Sequence, residues 1–254
     1  MTRYVLEVMY DGTKFHGSQV QGAIPTVQLS LNNALSTLFR TSMETLAASR
    51  TDEGVHALCN YFQFDVEGAL PHEMLYKCNA ILPGSVAIKK IWKAADPEFS
   101  ARFDAIRRQY RYRIYNIKNP FFADRAFFYP FHLRHDLLQE TAAIIKGYDH
   151  FEAFAKRKSQ TKTFSCTIHQ SYWEVSGAQL HYVVEANRFL RGMVRGLVGT
   201  QLQAARGNIT ALDFRKIIEG RDCTKAFFNV AGHGLYLENV VYPSGVLEEM
   251  DSKS

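Results

Sequence analysis

Four side chains that could take part in catalysis lie close together between Arg50 and His56. Seven consecutive positions carry an arginine, an aspartate, a glutamate and a histidine, with Gly54 among them. A carboxylate such as that of Asp52 can act as a nucleophile or as a general base. Each residue also has an ordinary interpretation, because Asp52 could be a turn residue, Arg50 a surface cation and His56 a packed histidine.

The flanking residues place this segment in a loop that enters a strand. The run from Tyr61 to Val66 alternates as a β-strand does, with Phe62, Phe64 and Val66 on one face. A short strand is also expected just before the loop. Gly54 suits a positive φ or a close approach. Catalytic groups are commonly carried by a loop on a rigid scaffold, so the context favours a catalytic loop.

The surrounding patterns predict the order β-α-β-α-β for the first part of the chain. The run from Arg3 to Tyr10 alternates as a strand, and Asp11-Gly12 ends it with a turn. Helices are predicted to open at Pro25-Thr26 and at Pro71, before a strand from Val86 to Trp92. We predict an α/β (α+β) fold with two halves, residues 1–104 and 105–246, and a polar, disordered tail at residues 247–254.

The second half opens on a strand with two distinct faces. One face would carry Tyr110, Tyr112 and Ile114, and the other Arg111, Arg113 and Tyr115. Basic and aromatic residues on alternate sides of a strand could form a nucleic-acid surface. A core-facing tyrosine row with a solvated arginine row explains the same pattern equally well.

A later helix carries arginines and glycines together. Asn187 is predicted to cap it, and Arg188, Arg191 and Arg195 would lie on one side at helical spacing. Gly192, Gly196 and Gly199 lie beside them, although an interior glycine costs about 1 kcal/mol relative to alanine. Such glycines indicate close approach either by another part of the protein or by a ligand. Asp136 and Thr210 are predicted to cap two further helices.

Composition narrows the class of protein. Of the 254 residues, 46% are apolar, which favours a folded protein with a sizeable core. The net charge of +5 favours a polyanionic partner. The four cysteines form no C-x-x-C pair and no zinc spacing, which predicts reduced thiols in a cytoplasmic protein. A P-loop and a dinucleotide fingerprint are absent. The sequence contains neither a signal-peptide pattern nor an apolar run of 18 residues. Neither export nor a membrane span is therefore predicted.

Basic residues also cluster in one loop. Lys156, Arg157, Lys158 and Lys162 lie close together in the sequence. Such a cluster is commonly a solvated surface, although it could also contact phosphates.

These motifs, in this order, resemble the tRNA pseudouridine synthase A family. The signature G-R-T-D-x-G-V-H-A is matched at residues 50–57, and the opening Y-D-G-T-x-F/Y-H-G-x-Q at residues 10–19. Five further motifs match in the family's order and cover most of the chain: T-V-Q at 26–28, F-x-A-R-F at 99–103, R-R-x-Y-R-Y at 107–112, F-L-x-x-M-V-R at 189–195 and G-L-Y-L at 234–237.

The resemblance implies a fold and a reaction. Two α/β halves would share a mostly antiparallel sheet with a central catalytic cleft, which is the pseudouridine synthase fold. The protein would be a homodimer that binds tRNA, and it would need neither a cofactor nor a metal. It would isomerise uridine to pseudouridine in the anticodon stem-loop, at tRNA positions 38–40.

The resemblance also implies residue roles. Asp52 would be the catalytic nucleophile, Arg195 would pair with it, and Arg50 would displace the stacked target base and take its place. Tyr110 would stack on the uracil. Separately from the resemblance, their positive charge predicts that Arg188 and Arg191 bind the tRNA. Phosphate contacts of this kind can offset the few kcal/mol needed to extrude a base.

The sequence departs from the family pattern at several positions near these motifs. Ser49 stands where the family commonly has glycine, Glu53 where it has alanine, Ser18 where it has tryptophan and Val20 where it has arginine. Residues 230–232 read V-A-G in place of A-P-A. Because Asp52 and the other residues with implied roles are all retained, the chemistry is expected to survive.

Two other functions stay open at this stage. A non-catalytic tRNA-binding or tRNA-folding module would keep the basic surface without needing Asp52. An aspartate-dependent hydrolase acting on a small anionic substrate would usually need a second acid or base, and Glu53 is the only carboxylate near Asp52 in the sequence.

Overall fold

The computed structural model describes residues 1–157 and 163–250. Its strands are β1 (Thr2–Tyr10), β2 (Leu46–Ala47), β3 (His56–Val66), β4 (Val86–Ala94), β5 (Arg107–Tyr115), β6 (Phe127–Phe128), β7 (Ile168–Ser176), β8 (Gln179–Ala186), β9 (Leu235–Val241) and β10 (Leu247–Glu249). Its α-helices are α1 (Val27–Phe39), α2 (Met74–Ile81), α3 (His135–Ile145), α4 (Met193–Ala205) and α5 (Ala211–Glu219).

The chain forms two compact units. The first comprises Met1–Ile106 and the chain from Leu237 onward, and the second is Arg107–Tyr236. In the first unit, β1 lies between β3 and β4 and is antiparallel to both. Strand β2 pairs with β3, and β10 pairs with β4, again antiparallel. The short strand predicted before the Asp52 loop is therefore present as β2.

Apolar side chains of the strands and of one helix build the core of the first unit. Leu6 and Val8 on β1 are fully buried, as is Phe62 on β3. Helix α1 buries an apolar stripe at helical spacing: Val27, Leu31, Ala34 and Leu35. The rings of Phe39 and Phe64 lie 6.4 Å apart and join α1 to β3. The predicted strand and helix thus meet through the faces that their periodicity indicated.

In the second unit, β8 lies between β5 and β7 and is antiparallel to both, while β6 runs parallel to β5. The buried row on β5 is the predicted one, Tyr110, Tyr112 and Ile114. Trp173 on β7 donates from Nε1 to Gln201 Oε1 on α4 at 2.8 Å. The mixed α/β content and mostly antiparallel pairing confirm the predicted fold class.

The arginine row of β5 is occupied by contacts within the protein. Arg111 pairs with Glu174 on β7, and the Arg113 guanidinium lies 3.8 Å from the centroid of the Tyr236 ring. Both arginines are half-buried. The arginine row is therefore neither the solvated row nor the open nucleic-acid surface that the sequence suggested, because Arg111 and Arg113 both contact other residues of the protein.

The three predicted helix caps have different outcomes. Thr210 and Asp213 form a capping box at the start of α5, so that prediction is confirmed. Asp136 does not cap α3, because the helix begins at His135 and Arg134 occupies the cap position without a side-chain bond. Asp136 instead pairs with Arg134 at 2.7 Å.

The prediction that Asn187 caps the arginine-bearing helix is wrong. Helix α4 begins at Met193, and Gly192 occupies its cap position with a φ of 75°. This left-handed conformation suits glycine and interrupts the helix that the spacing suggested. Asn187 instead accepts a hydrogen bond from Thr167 N at 2.9 Å through Oδ1. Only Arg195 of the three spaced arginines therefore lies on α4.

The C-terminal prediction needs a similar correction. Residues 247–249, expected within a disordered tail, form β10 against β4. Glu249 on β10 and Lys90 on β4 form an ion pair at 2.8 Å, and Met250 N donates to Ile91 O at 3.1 Å. Lys158, Lys162 and the last four tail positions lie outside the described residues. Within residues 1–157 and 163–250, no helix is long and apolar enough to cross a membrane.

Candidate active site

Asp52 lies in the predicted loop between β2 and β3, and we call residues 49–57 the Asp52 loop. Arg50 is exposed, Thr51 is buried and Asp52 is half-buried. Thr51 Oγ1 lies 2.9 Å from Tyr10 OH in the core. The backbone carbonyl of Asp52 accepts a hydrogen bond from Val55 N at 3.2 Å, which closes a tight turn over Gly54. The loop thus anchors Thr51 inward between two charged residues that retain solvent access.

The opening motif packs directly on the Asp52 loop. A Cβ atom at Gly12 would lie 2.0 Å from the Val55 carbonyl oxygen, so only glycine fits at this position. Ser18 exchanges two hydrogen bonds with Thr51: Ser18 N donates to Thr51 O at 3.1 Å, and Thr51 N donates to Ser18 Oγ at 2.8 Å. The two motifs that are far apart in the sequence therefore form one structural unit.

His56 helps to join these two segments. Gly12 N donates to His56 Nδ1 at 3.2 Å, and Asp11 Oδ1 lies 3.3 Å from the same nitrogen. Asp11 Oδ1 already accepts bonds from Thr13 N at 3.1 Å and Thr13 Oγ1 at 2.6 Å. We therefore assign Nδ1 as the acceptor for Gly12. His56 is buried, and in these contacts it acts as a structural histidine.

Glu53, the other carboxylate of the loop, faces outward. Its Oε1 lies 3.3 Å from His16 Nδ1, and both side chains are more than half exposed. An exposed pair of this kind contributes little to stability. Glu53 therefore lacks the anchored, sheltered setting that would suit a second catalytic acid.

Tyr110 lies on β5 opposite Val184 of β8. Its ring is largely buried and meets Phe189 edge-on, with centroids 5.1 Å apart and planes at 87°. This geometry fixes the plane of the Tyr110 ring from one side.

Arg195 lies in the first turn of α4 and is half-buried. Its Nε donates to the carbonyl of Val230 at 2.9 Å. Tyr112 OH donates to the neighbouring carbonyl of Ala231 at 2.7 Å. Burial raises the pKa of Tyr112, so this hydroxyl stays protonated as a donor. We call residues 227–232 the Val230 segment. The side chains of Arg195 and Tyr112 fix this segment, and the bond to Val230 in turn orients the Arg195 guanidinium.

Arg188 and Arg191 precede α4 rather than lying on it. Arg188 is half-buried and Arg191 is exposed, while the Arg191 carbonyl accepts a hydrogen bond from Lys156 N at 2.9 Å. Lys156 and Arg157 are exposed as well. Arg191 and the described part of the basic loop are therefore joined by a backbone hydrogen bond.

The glycines of α4 are explained by packing. A Cβ atom at Gly196 would lie 2.7 Å from Phe228 Cε1 and 3.2 Å from Phe154 Cδ1. At Gly199 it would lie 2.0 Å from the Phe227 carbonyl oxygen. Of the two interpretations left open by the sequence, close approach by the protein itself is the one observed.

We expect Gly199→Ala to destabilise the protein by about 1–3 kcal/mol, as overpacking of a core does. Alanine is the better helix former by about 1 kcal/mol, but its Cβ would overlap the Phe227 carbonyl and push the Val230 segment away from α4. Urea unfolding measures the change. Gly84→Ala is the control, since a Cβ there meets no atom within 4 Å. An unchanged or higher stability for Gly199→Ala would contradict the packing interpretation.

The structure thus distributes the predicted site residues over two local groups. Arg50 and Asp52 share one loop of the first unit, and Tyr110, Arg188, Arg191 and Arg195 belong to the second unit. Sequence reasoning did not identify Asn60, a fully buried polar residue on β3 that binds the Asp52 loop. A polar residue within the apolar run from Ala57 to Phe62 was the available signal. Among the described residues, no cluster of three His, Cys, Asp or Glu side chains could hold a metal ion.

Comparison with known proteins defines the class. A family model described as tRNA pseudouridine synthase matches residues 142–243. A protein of Parabacteroides distasonis named tRNA pseudouridine synthase A is 38% identical over 245 residues, covering 96% of this chain and 97% of the relative. Relatives of the same name from Bacteroides thetaiotaomicron and Bacillus subtilis are 37% and 35% identical, covering 100% and 92% of this chain and 96% and 97% of the relatives.

The alignments with these three relatives extend over nearly the whole of this chain and of each relative. The chain belongs to the tRNA pseudouridine synthase A family.

Proposed function

We propose that this protein isomerises uridine to pseudouridine in the anticodon stem-loop of tRNA, with Asp52 as the nucleophile. The observation that carries the proposal is the Asp52 loop itself. A half-buried aspartate stands beside an exposed arginine on a backbone fixed by buried groups, in a chain that matches named synthases over almost its full length. A non-catalytic binding module would not need this arrangement.

The proposed reaction rearranges bonds without redox chemistry or net hydrolysis. The bond between C1′ and N1 of the uridine breaks, the uracil rotates, and C1′ bonds to C5. The hydrogen on C5 leaves as a proton and N1 takes up a proton. Asp52 provides the carboxylate for this exchange. By the family resemblance, Arg195 would pair with this carboxylate and hold its orientation.

A uridine inside a stem must leave its stack before a carboxylate can reach it. Extrusion costs a few kcal/mol. Arg50 is exposed and follows directly on a buried residue, so it is suited to enter the space that the base vacates. Arg188, Arg191 and the basic loop supply phosphate contacts that offset the cost. No step of this mechanism calls for a cofactor or a metal ion.

Tritium release tests the proposal. Bulk tRNA labelled with tritium at uracil C5 should release the label in the presence of the protein, because the new bond at C5 expels that hydrogen. tRNA transcripts with single substitutions at positions 38, 39 and 40 then map the target. Binding of tRNA without release would favour the non-catalytic module over the isomerase.

Tyr110 provides a further prediction. Tyr110→Phe retains the aromatic face and should keep tRNA affinity within about twofold, whereas Tyr110→Ala should lose about tenfold or more, since stacking on a base contributes about 1–3 kcal/mol. Filter binding measures both affinities. The phenylalanine variant serves as the matched control, because its ring can keep the edge-on contact with Phe189. Equal loss of affinity in both variants would argue against stacking.

We further propose that the protein is a homodimer in the cytoplasm. The family resemblance supports the dimer. The location is supported by the substrate and by four free cysteines, Cys59, Cys78, Cys166 and Cys223. Light scattering of the purified protein distinguishes a dimer from a monomer.

A further inference from the structure

Arg50 lies between Ser49 and Thr51. In each of these two residues, one partner residue forms hydrogen bonds with both the backbone N–H and the backbone C=O. Ser49 N donates to Asn60 Oδ1 at 3.3 Å, and Asn60 Nδ2 donates back to Ser49 O at 2.9 Å. On the other side, Ser18 binds the N–H of Thr51 with its hydroxyl and the C=O of Thr51 with its own N–H. We call these four hydrogen bonds the Arg50 clamp.

The two sides of the clamp are connected in the core. Asn60 Nδ2 also donates to Tyr10 OH at 3.2 Å, and Tyr10 OH lies 2.9 Å from Thr51 Oγ1. Ser18 and Asn60 have no exposed surface, and Tyr10 is buried as well. Burial raises the pKa of Tyr10 to about 12, so its hydroxyl remains a hydrogen-bond donor at neutral pH. A buried network with every member partnered is rigid, because breaking any bond would leave an unsatisfied polar group.

We propose that Ser18 and Asn60 are positioning residues that hold the backbone on both sides of Arg50, so that Arg50 and Asp52 keep their placement when the target base is extruded. The inference rests on the proposed isomerase function. A long arginine side chain enters an RNA stack in one direction only if its backbone is fixed. A displacement of about 1 Å in a reacting group can cost about 100-fold in rate.

The Ser18 half of the clamp lies at a position where this sequence departs from the family pattern. The family commonly has tryptophan at this position, and tryptophan has no hydroxyl to accept a hydrogen bond from Thr51 N. Here that amide is buried, and Ser18 Oγ is the acceptor that satisfies it. The serine is therefore more than a tolerated departure, since it supplies the bond that fixes the residue between Arg50 and Asp52.

Ser18→Ala tests the clamp, with Ser36→Ala as the matched control. Ser36 Oγ likewise accepts a backbone hydrogen bond, from Met43 N at 2.9 Å, but this bond lies outside the Asp52 loop. We expect Ser18→Ala to lower the single-turnover rate of tritium release roughly tenfold. Its tRNA dissociation constant should stay within about twofold, since no phosphate contact is removed. Ser36→Ala should retain the wild-type rate. Equal rates in the two variants would overturn the proposal.

Amide hydrogen exchange provides a readout that does not depend on the reaction. In Ser18→Ala the amide of Thr51 should exchange faster than in the wild type, while Ser36→Ala should leave it unchanged. Unchanged exchange at Thr51 would overturn the clamp. If the wild type releases no tritium, the proposed function fails, and the exchange result still decides whether the clamp exists.

Tyr10→Phe keeps the test decisive if Ser18→Ala does not fold. The variant removes only the hydroxyl that links Asn60 to Thr51 and leaves the ring in the core. The expected result is again a slower single turnover with retained tRNA affinity. A wild-type rate in a folded Tyr10→Phe protein would count against the network as a positioning device.

Discussion

Asp52→Asn is expected to bind tRNA with nearly wild-type affinity and to release tritium at least about 10⁴-fold more slowly, as the loss of a catalytic nucleophile does. Asparagine matches the shape of aspartate, and the hydrogen bond from Val55 N goes to the backbone of residue 52 rather than to its side chain. The loop should therefore keep its conformation while it loses the carboxylate. Single-turnover tritium release and filter binding measure the two quantities separately.

Glu53→Gln is the matched control for this experiment. It makes the same carboxylate-to-amide change one position further along the same loop. Glu53 is exposed and faces His16 at 3.3 Å, so its charge should affect the rate of tritium release by no more than a few fold. A strong rate loss in Glu53→Gln with little loss in Asp52→Asn would reverse the assignment of the nucleophile. Loss of tRNA binding in Asp52→Asn would favour a binding role for the loop over catalysis.

Local patterns predicted the parts of the fold that depend on periodicity and sequence-local capping. The alternation of β5 and the apolar stripe of α1 appear as expected. The predicted face of β1 is buried, but the strand is buried on both faces from Tyr4 to Val8. The cap at Thr210 was predicted correctly, because Thr210 and Asp213 lie within one turn, whereas the cap predicted at Asp136 is not formed. The same logic failed at α4, where the φ of Gly192 rather than the spacing of the arginines sets the start of the helix.

Long-range contacts account for what the sequence left open. The need for glycine at Gly199 comes from the Phe227 carbonyl, which is 28 positions away in the chain and shows no local signal. The pairing of Ser18 with Thr51 spans 33 positions. The sequence identified Asp52 and Arg50 as chemistry-bearing residues from their types. It did not reveal which buried groups hold the backbone between them, because such groups are recognised only once the strands are paired.

Arg195→Lys is expected to lower the rate of tritium release about 100-fold, the scale of a misplaced catalytic group, while tRNA affinity changes by less than about threefold. The Nε of Arg195 is committed to the Val230 carbonyl at 2.9 Å, and this bond sets the direction in which the rest of the guanidinium points. Lysine keeps the charge but has neither a donor at that position nor a planar fork. It cannot both hold the Val230 segment and present donors in a fixed orientation.

Arg206→Lys separates this specific effect from a general effect of the substitution. Arg206 follows the last residue of the same helix, and its guanidinium lies 3.8 Å from the Phe131 ring centroid, a contact that a lysine ammonium can also make. The rate of tritium release by Arg206→Lys should match that of the wild type. Because the charge is unchanged in both variants, a rate loss confined to Arg195→Lys would point to guanidinium geometry. Wild-type turnover in Arg195→Lys would remove Arg195 from the catalytic residues and leave it as a packing residue that anchors the Val230 segment.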